Sequence, residues 1–304
     1  MSGKVTLVKK DGFVFSNYSM VLSALFFSGA FIAGKFSVEE FPVFSLTFYR
    51  FFIATILLFL ILIYRKVELK LPKKEIFRIL LLAIFGMTGY QLLFFKALKY
   101  TTAINTSLIL TITPVMTTIM ALFFLKEKIS FKSFLGIIIS IVGVFFIITN
   151  GSIEVIKSLN FNVGDLFMLG AVFFMSINFI ILKKSLKTME PLKLTAYISL
   201  FATFLLIPGL IYDNPASYLG SVTIKGWYSL VYMAVFASVF AYLLQQVSIK
   251  KIGAINTSLY MNLIPLYSII LSYLILGENI SLEKIVAGII VIAGVIYTVK
   301  NKTT

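Results

Sequence analysis

Long apolar runs separated by short polar gaps recur along the whole chain. A run such as IATILLFLILIY (Ile53–Tyr64) is apolar on every side, with neither a 3.6-residue nor a two-residue alternation. Crossing a bilayer core takes about 20 apolar residues in helical form. Runs of that kind fall at 18–37, 43–64, 77–98, 102–124, 131–149, 163–183, 192–212, 227–248, 253–276 and 283–299. Strands of a membrane barrel would instead show about ten residues of alternating polarity. The pattern predicts an all-α integral membrane protein with ten transmembrane helices. The gaps between the runs are too short for a soluble domain.

Composition supports this reading. Of 304 residues, 60% are hydrophobic and 13% charged, and the mean hydropathy is +1.01. A soluble domain is about a quarter charged, so the solvent for most of this chain is lipid. The chain has no histidine and no cysteine, which excludes disulfides, thiolate catalysis, Cys/His metal sites and histidine proton relays. The first apolar run follows a mixed stretch and lacks a small-residue cleavage site, so it reads as a retained helix rather than a signal peptide.

The net charge of +15 would suit a nucleic-acid partner if it were gathered in one patch. It is not. Nineteen lysines and arginines lie in one alternate set of gaps and at both ends, from Lys4, Lys9 and Lys10 to Lys300 and Lys302. Six lie in the other set: Lys35, Lys96, Lys99, Lys157, Lys225 and Lys284. Excess positive charge marks the cytoplasmic side, so both termini are expected in the cytoplasm. No nucleic-acid partner is expected.

The stretch AINTSL occurs twice, at Ala103–Leu108 and Ala254–Leu259, followed in each copy by a proline (Pro114, Pro265) and a glutamate (Glu127, Glu278) at matching spacing. Aligned without gaps, residues 103–149 and 254–300 agree at about 17 of 47 positions. Earlier in the chain, LFFSGAFIAGK (Leu25–Lys35) resembles VFFMSINFIILK (Val172–Lys183), pairing Ser28 with Ser176 and Lys35 with Lys183. The unit is thus five helices, used twice. Because five is odd, the second copy enters the membrane from the opposite side, giving an inverted repeat. Lys126, Lys128 and Lys132 of the first copy become Gly277, Asn279 and Glu283 in the second, as the charge bias requires if that segment changes sides. The expected organisation is a cytoplasmic tail (1–17), a first repeat (18–149), an extracytoplasmic linker (150–162), a second repeat (163–299) and a short tail (300–304).

The segments from Phe95 to Val144 and from Val247 to Val295 resemble the terminal half of an EamA-type repeat. The Ala-Leu-Lys-Tyr-Thr run, the proline, the Leu-x-Glu and the later Gly-Val stand in that family's order. Arg50 matches the arginine that opens its second helix, and Gly164-Asp165 its sixth-helix entry. Phe26 and Phe27 stand where a tryptophan is common, and Lys126 where a glycine is usual. The resemblance implies a ten-helix member of the drug/metabolite transporter superfamily, whose members move amino acids, nucleobases, sugars, vitamins and drugs.

Polar side chains in mid-membrane are costly, so each is either a site residue or helix–helix glue. The substrate-binding candidates are Ser28, Tyr90, Gln91, Thr111, Asn178, Tyr242, Gln245 and Asn262. Their amides, hydroxyls and phenols suit a neutral or zwitterionic solute. Pro114 and Pro265 sit mid-helix, where proline disturbs the preceding turn, and are the candidate hinges. Arg50, Lys35 and Lys183 are placed near helix ends as snorkelling cations, with Lys35 as a possible partner for a substrate carboxylate. Glu127 and Glu278 read as structural. Gly136 and Gly143 share a face suited to close helix contact.

No catalytic residue, metal site or cofactor is expected. The acidic residues lie in loops or at helix ends, so no proton carrier is evident within the membrane. No phosphate-cradling loop appears. The expected function is alternating-access transport of small organic metabolites across the inner (cytoplasmic) membrane by a monomer or homodimer. Export of amino acids or related compounds is the leading reading. Vitamin or nucleobase uptake, a non-transporting membrane sensor and a membrane enzyme are the alternatives.

Overall fold

The structure, a computed structural model, describes residues 3–125, 130–149, 151–152, 161–252, 257 and 260–301. No strand occurs among the described residues. Seven helices are long and apolar enough to cross a membrane. They are α1 (Tyr18–Glu40, the apolar part of the helix Gly3–Glu40), α2 (Val43–Tyr64), α3 (Lys73–Tyr100), α4 (Ala103–Phe124), α6 (Val163–Ser185), α7 (Pro191–Tyr212) and α8 (Ile224–Lys251). Between and after these lie α5 (Phe131–Thr149), α9 (Leu263–Leu276) and α10 (Leu282–Lys300). Lipid offers no hydrogen bonds, so a spanning segment must satisfy its own backbone, which a helix does. Large apolar side chains accordingly point outward along the bundle, among them Leu60, Phe204 and Leu274.

Four helices depart from regular α geometry, α9 among them through a π-helical stretch at Ser272–Leu276. α3 carries a π-helical stretch at Ala83–Gly89, and α8 carries another at Met233–Ala241. α4 is interrupted at Thr111–Ile112, in the turn before Pro114. α9 begins after a turn at Met261–Asn262, before Pro265. A ring that blocks the i−4 bond loosens the preceding turn, so the sequence dictates where both breaks fall.

Helix α5 lies along α10, α2 along α7, α3 along α6 and α1 along α8; α1 also packs on α9, and α4 on α6. The α5–α10 contact is the closest. A Cβ added at Gly136 would stand 2.5 Å from the Thr298 amide nitrogen, and one at Gly294 2.6 Å from that of Ser140. Only glycine admits two backbones at this separation. Ser133 Oγ then reaches across to donate to the Thr298 carbonyl at 2.9 Å.

Acidic residues tie together the bundle end where α3 meets α4. Glu278 accepts from the amides of Ala103 and Ile104 (2.9 and 3.1 Å), closing the start of α4. Thr102 caps the same helix by accepting from the Asn105 amide at 3.0 Å. Asp213 accepts from the Ser45 amide and hydroxyl at the start of α2. Glu40 does the same for Thr223 at the start of α8. Carboxylates on helix N-termini are favourable because the amides there lack partners. The first AINTSL copy thus starts its helix as expected. Glu127 and most of the second copy lie outside the described residues.

Candidate functional site

At the centre of the bundle is a small cavity, about 20 Å³, bordered by α1, α2, α3, α4, α6, α8 and α9. That volume holds about one water, too little for an organic solute. Half of the lining follows the repeat. Gln91 and Tyr242 both face the cavity, and they are counterparts in the two copies, 151 positions apart. Leu110 and Met261 line it too, at the same spacing, and each sits at the break before its proline. Phe27 and Met175, which precede the matched serines Ser28 and Ser176, form a third facing pair.

The polar heart of the cavity is Arg50. It stands in the second turn of α2 and is 1% exposed. Its Nε donates to Ser238 Oγ at 2.7 Å, and its Nη1 to Gln91 Oε1 at 2.9 Å. Gln91 Nε2 donates onward to the Tyr242 hydroxyl at 3.2 Å. The guanidinium also lies 5.6 Å from the centre of the Phe51 ring and 5.7 Å from that of Phe95, within cation–π range. Ser238 belongs to the π-helical stretch of α8, and Gln91 follows that of α3 by two residues. The irregular turns therefore help deliver both partners to the arginine, a common use of such bulges.

Around this group the walls are aromatic and aliphatic. Tyr90 stacks on Phe94 with centroids 5.9 Å apart, Phe31 meets Phe94 edge-on at 4.9 Å, and Phe27 meets Tyr242 edge-on at 5.3 Å.

Three of the eight predicted site residues, Tyr90, Gln91 and Tyr242, come together here. The other five do not line the cavity. Ser28 donates to the Leu25 carbonyl at 2.7 Å, and Thr111 to that of Leu108 at 2.6 Å; both are satisfied within their own helices. Asn178 packs against the backbone of α3, where a Cβ at Gly86 would come within 2.4 Å of its Oδ1. Gln245 donates to Met261 Sδ at 3.1 Å, behind the lining. Asn262 is buried in the turn before α9, and its Oδ1 has no hydrogen-bond partner among the described residues.

The placement of Arg50 as a snorkelling residue does not hold. Seven residues into α2, at 1.5 Å each, put its Cα about 10 Å below the helix start, and its side chain turns inward. That depth was the available signal. Lys35 is also assigned elsewhere: its Nζ donates to the Leu98 and Thr101 carbonyls at 2.7 and 2.8 Å, closing the end of α3.

No group of three or more acidic, histidine or cysteine side chains that could hold a metal occurs among the described residues. Among the described residues no carboxylate lines the cavity. Asp165, buried at the start of α6, accepts from Thr101 Oγ1 at 2.7 Å and from Asn105 Nδ2 at 3.3 Å, so it serves the α3–α4 corner.

The EamA-like transporter family matches this chain twice, over residues 15–149 and 162–300. An uncharacterized transporter of Bacillus subtilis (strain 168), YyaM, is 34% identical over 282 residues, covering 92% of each chain. An uncharacterized transporter of Archaeoglobus fulgidus is 29% identical over 282 residues, covering 92% of this chain and 95% of its own. A solved crystal structure aligns with a TM-score of 0.64 over 92% of this chain and 96% of its own, at 16% identity, a likeness of fold alone. Two family matches that together span nearly the whole sequence, with relatives alike along their full length, place this chain in the EamA-like transporter family as a multi-pass membrane protein.

Proposed function

We propose that the protein carries small organic metabolites across the cytoplasmic membrane by alternating access between two inverted five-helix repeats. The ten helices α1–α10 are the spans, and both termini face the cytoplasm. One observation carries this reading. The cavity is lined by counterpart residues of the two copies (Gln91 with Tyr242, Leu110 with Met261, Phe27 with Met175), so it lies where a pseudo-two-fold axis would pass.

Helix packing supports the same symmetry. Advancing each helix by five maps the α1–α8 contact onto α6–α3 and the α1–α9 contact onto α6–α4. It maps α2–α7 and α5–α10 onto themselves. Each of these contacts is observed. Inverted halves of this kind can exchange conformations around a midplane site and open it to either side in turn. At about 20 Å³ the cavity admits no organic solute, so entry requires α4 and α9 to move. Their breaks at Pro114 and Pro265 border the cavity and act as the hinges.

Amino acids or related compounds are the proposed solutes, moved outward. The aromatic and aliphatic walls suit an apolar body. Among the described residues no lining carboxylate is available to carry a proton inward in exchange. The reading is tested by reconstituting the purified protein in liposomes and measuring counterflow of radiolabelled amino acids, nucleobases and vitamins. Exchange of at least one apolar amino acid is expected. A broad panel in which nothing exchanges refutes the transport reading.

A further inference from the structure

Among the described residues, the cavity holds a buried cation with no anion. Arg50 carries five N–H donors and stays charged at any physiological pH. Two of those donors are used, both by neutral oxygens, and Nη2 makes no hydrogen bond among the described residues. The one ion pair among those residues is Arg78–Glu75, at the start of α3 and away from the cavity. A guanidinium removed from water and left without a countercharge is costly. A rigid fork of free donors beside a water-sized space is also the geometry that grips a carboxylate through two parallel bonds.

The repeat sharpens this reading. Arg50 stands eight residues after Pro42, and Ser199 eight after Pro191, at the matching place in α7. Ser199 is buried and engaged locally, accepting from Thr55 Oγ1 at 2.9 Å and donating to the Phe51 carbonyl at 3.2 Å. Six of the twelve lining residues fall in matched pairs, and the charge is not among them: one half supplies a single fixed cation.

Resting on the transport reading above, we infer that Arg50 binds the carboxylate of the transported solute and that the substrates are monocarboxylates with an apolar body. Gln91 and Ser238 hold the guanidinium by one edge and leave the other to the solute. Phe31, Phe94 and Met175 receive the body. The single positive charge selects against phosphate esters, which carry about −1.5 to −2 and would leave buried negative charge uncompensated. Neutral amides fail for the opposite reason, because they leave the guanidinium unpaired.

The test uses matched pairs that differ only at the acid: phenylacetate with phenylacetamide, L-phenylalanine with L-phenylalaninamide, and phenyl phosphate as the dianion. Binding is read by thermal shift on the purified full-length protein in detergent, and exchange by counterflow in liposomes. Acids are expected to bind about 100-fold more tightly than their amides, the order of effect when a buried hydrogen-bonding group is left unsatisfied. Phenyl phosphate should bind more weakly than phenylacetate. Arg50→Gln should remove the acid preference, and Arg50→Lys should restore part of it.

The wild-type pairs alone decide the matter if the variants fail to fold. Equal binding of acids and amides, tighter binding of phenyl phosphate, or an acid preference that survives Arg50→Gln overturns the inference. Acids that bind selectively without any exchange uphold the carboxylate site and sink transport. Exchange of acids and amides alike upholds transport and sinks the carboxylate site.

Discussion

The α3–α4 corner and the central cavity both bury charge, and they treat it in opposite ways. At the corner the charges have structural partners. Lys35 is taken by the last carbonyls of α3, Glu278 by the first amides of α4, and Asp165 by Thr101 and Asn105. In the cavity, among the described residues, Arg50 meets only neutral oxygens and ring faces. A charge whose partners come from the fold stabilises the fold. One that the fold leaves without a counter-ion is arranged for something that arrives. The same residue types can therefore be sorted into structure and function by asking where each countercharge is.

The sharpest way to break this contrast is at Gln91. Gln91→Leu keeps the bulk but removes an acceptor from Arg50 and a donor from Tyr242. Losing one partner of a buried charged hydrogen bond costs about 1–3 kcal/mol, so acid affinity is expected to fall about 10- to 100-fold in the thermal-shift titration. Unchanged affinity would mean that the arginine is held well enough without it, and that the cavity is as self-sufficient as the corner.

The converse change is Glu278→Ala. The first amides of α4 lose a charged acceptor, and stability should drop by about 1–3 kcal/mol, read by denaturant titration in detergent. Acid-over-amide preference should stay as in the wild type. A shift in that preference would show that the corner takes part in recognition and would blur the comparison.

A smaller effect is expected where the two regions are joined. The break before Pro114 follows the capped start of α4, and the breaks before Pro114 and Pro265 both border the cavity. Alanine at both positions restores the missing backbone donors, so folding should be little altered, while counterflow turnover should fall several-fold. Turnover at the normal rate in the double variant refutes the hinge role.

Legibility in the sequence follows the same division. The all-helical, membrane-spanning character was readable because lipid imposes a length on every span, a signal that does not depend on side-chain direction. The cavity was only partly readable for the complementary reason. Spans that are apolar all round carry no periodicity to say which face turns inward, so Gln245 and Asn178 could not be told apart from Gln91 by position. Ser28 and Thr111 were lost to a local effect, since a hydroxyl in a helix can bond the carbonyl three residues back at almost no cost. Arg50 had a depth that spoke against snorkelling, but the π-helical turn that brings Ser238 to it leaves no mark in the sequence.

The smallest expected effect concerns protons, and it separates the two regions most cleanly. The chain has no histidine, no carboxylate among the described residues lines the cavity, and Arg50 does not titrate in the physiological range. The carboxylic acid of a solute such as L-phenylalanine is ionised throughout that range. Counterflow of L-phenylalanine should therefore change by less than about twofold between pH 5.5 and 8.5, because a site that binds a fixed charge with a fixed charge has nothing to gain or lose there. A steep dependence on pH would require a titrating carboxylate in the transport cycle. Asp165 at the corner is the buried candidate, and Asp165→Asn would then flatten the profile. That result would move the α3–α4 corner from architecture into mechanism.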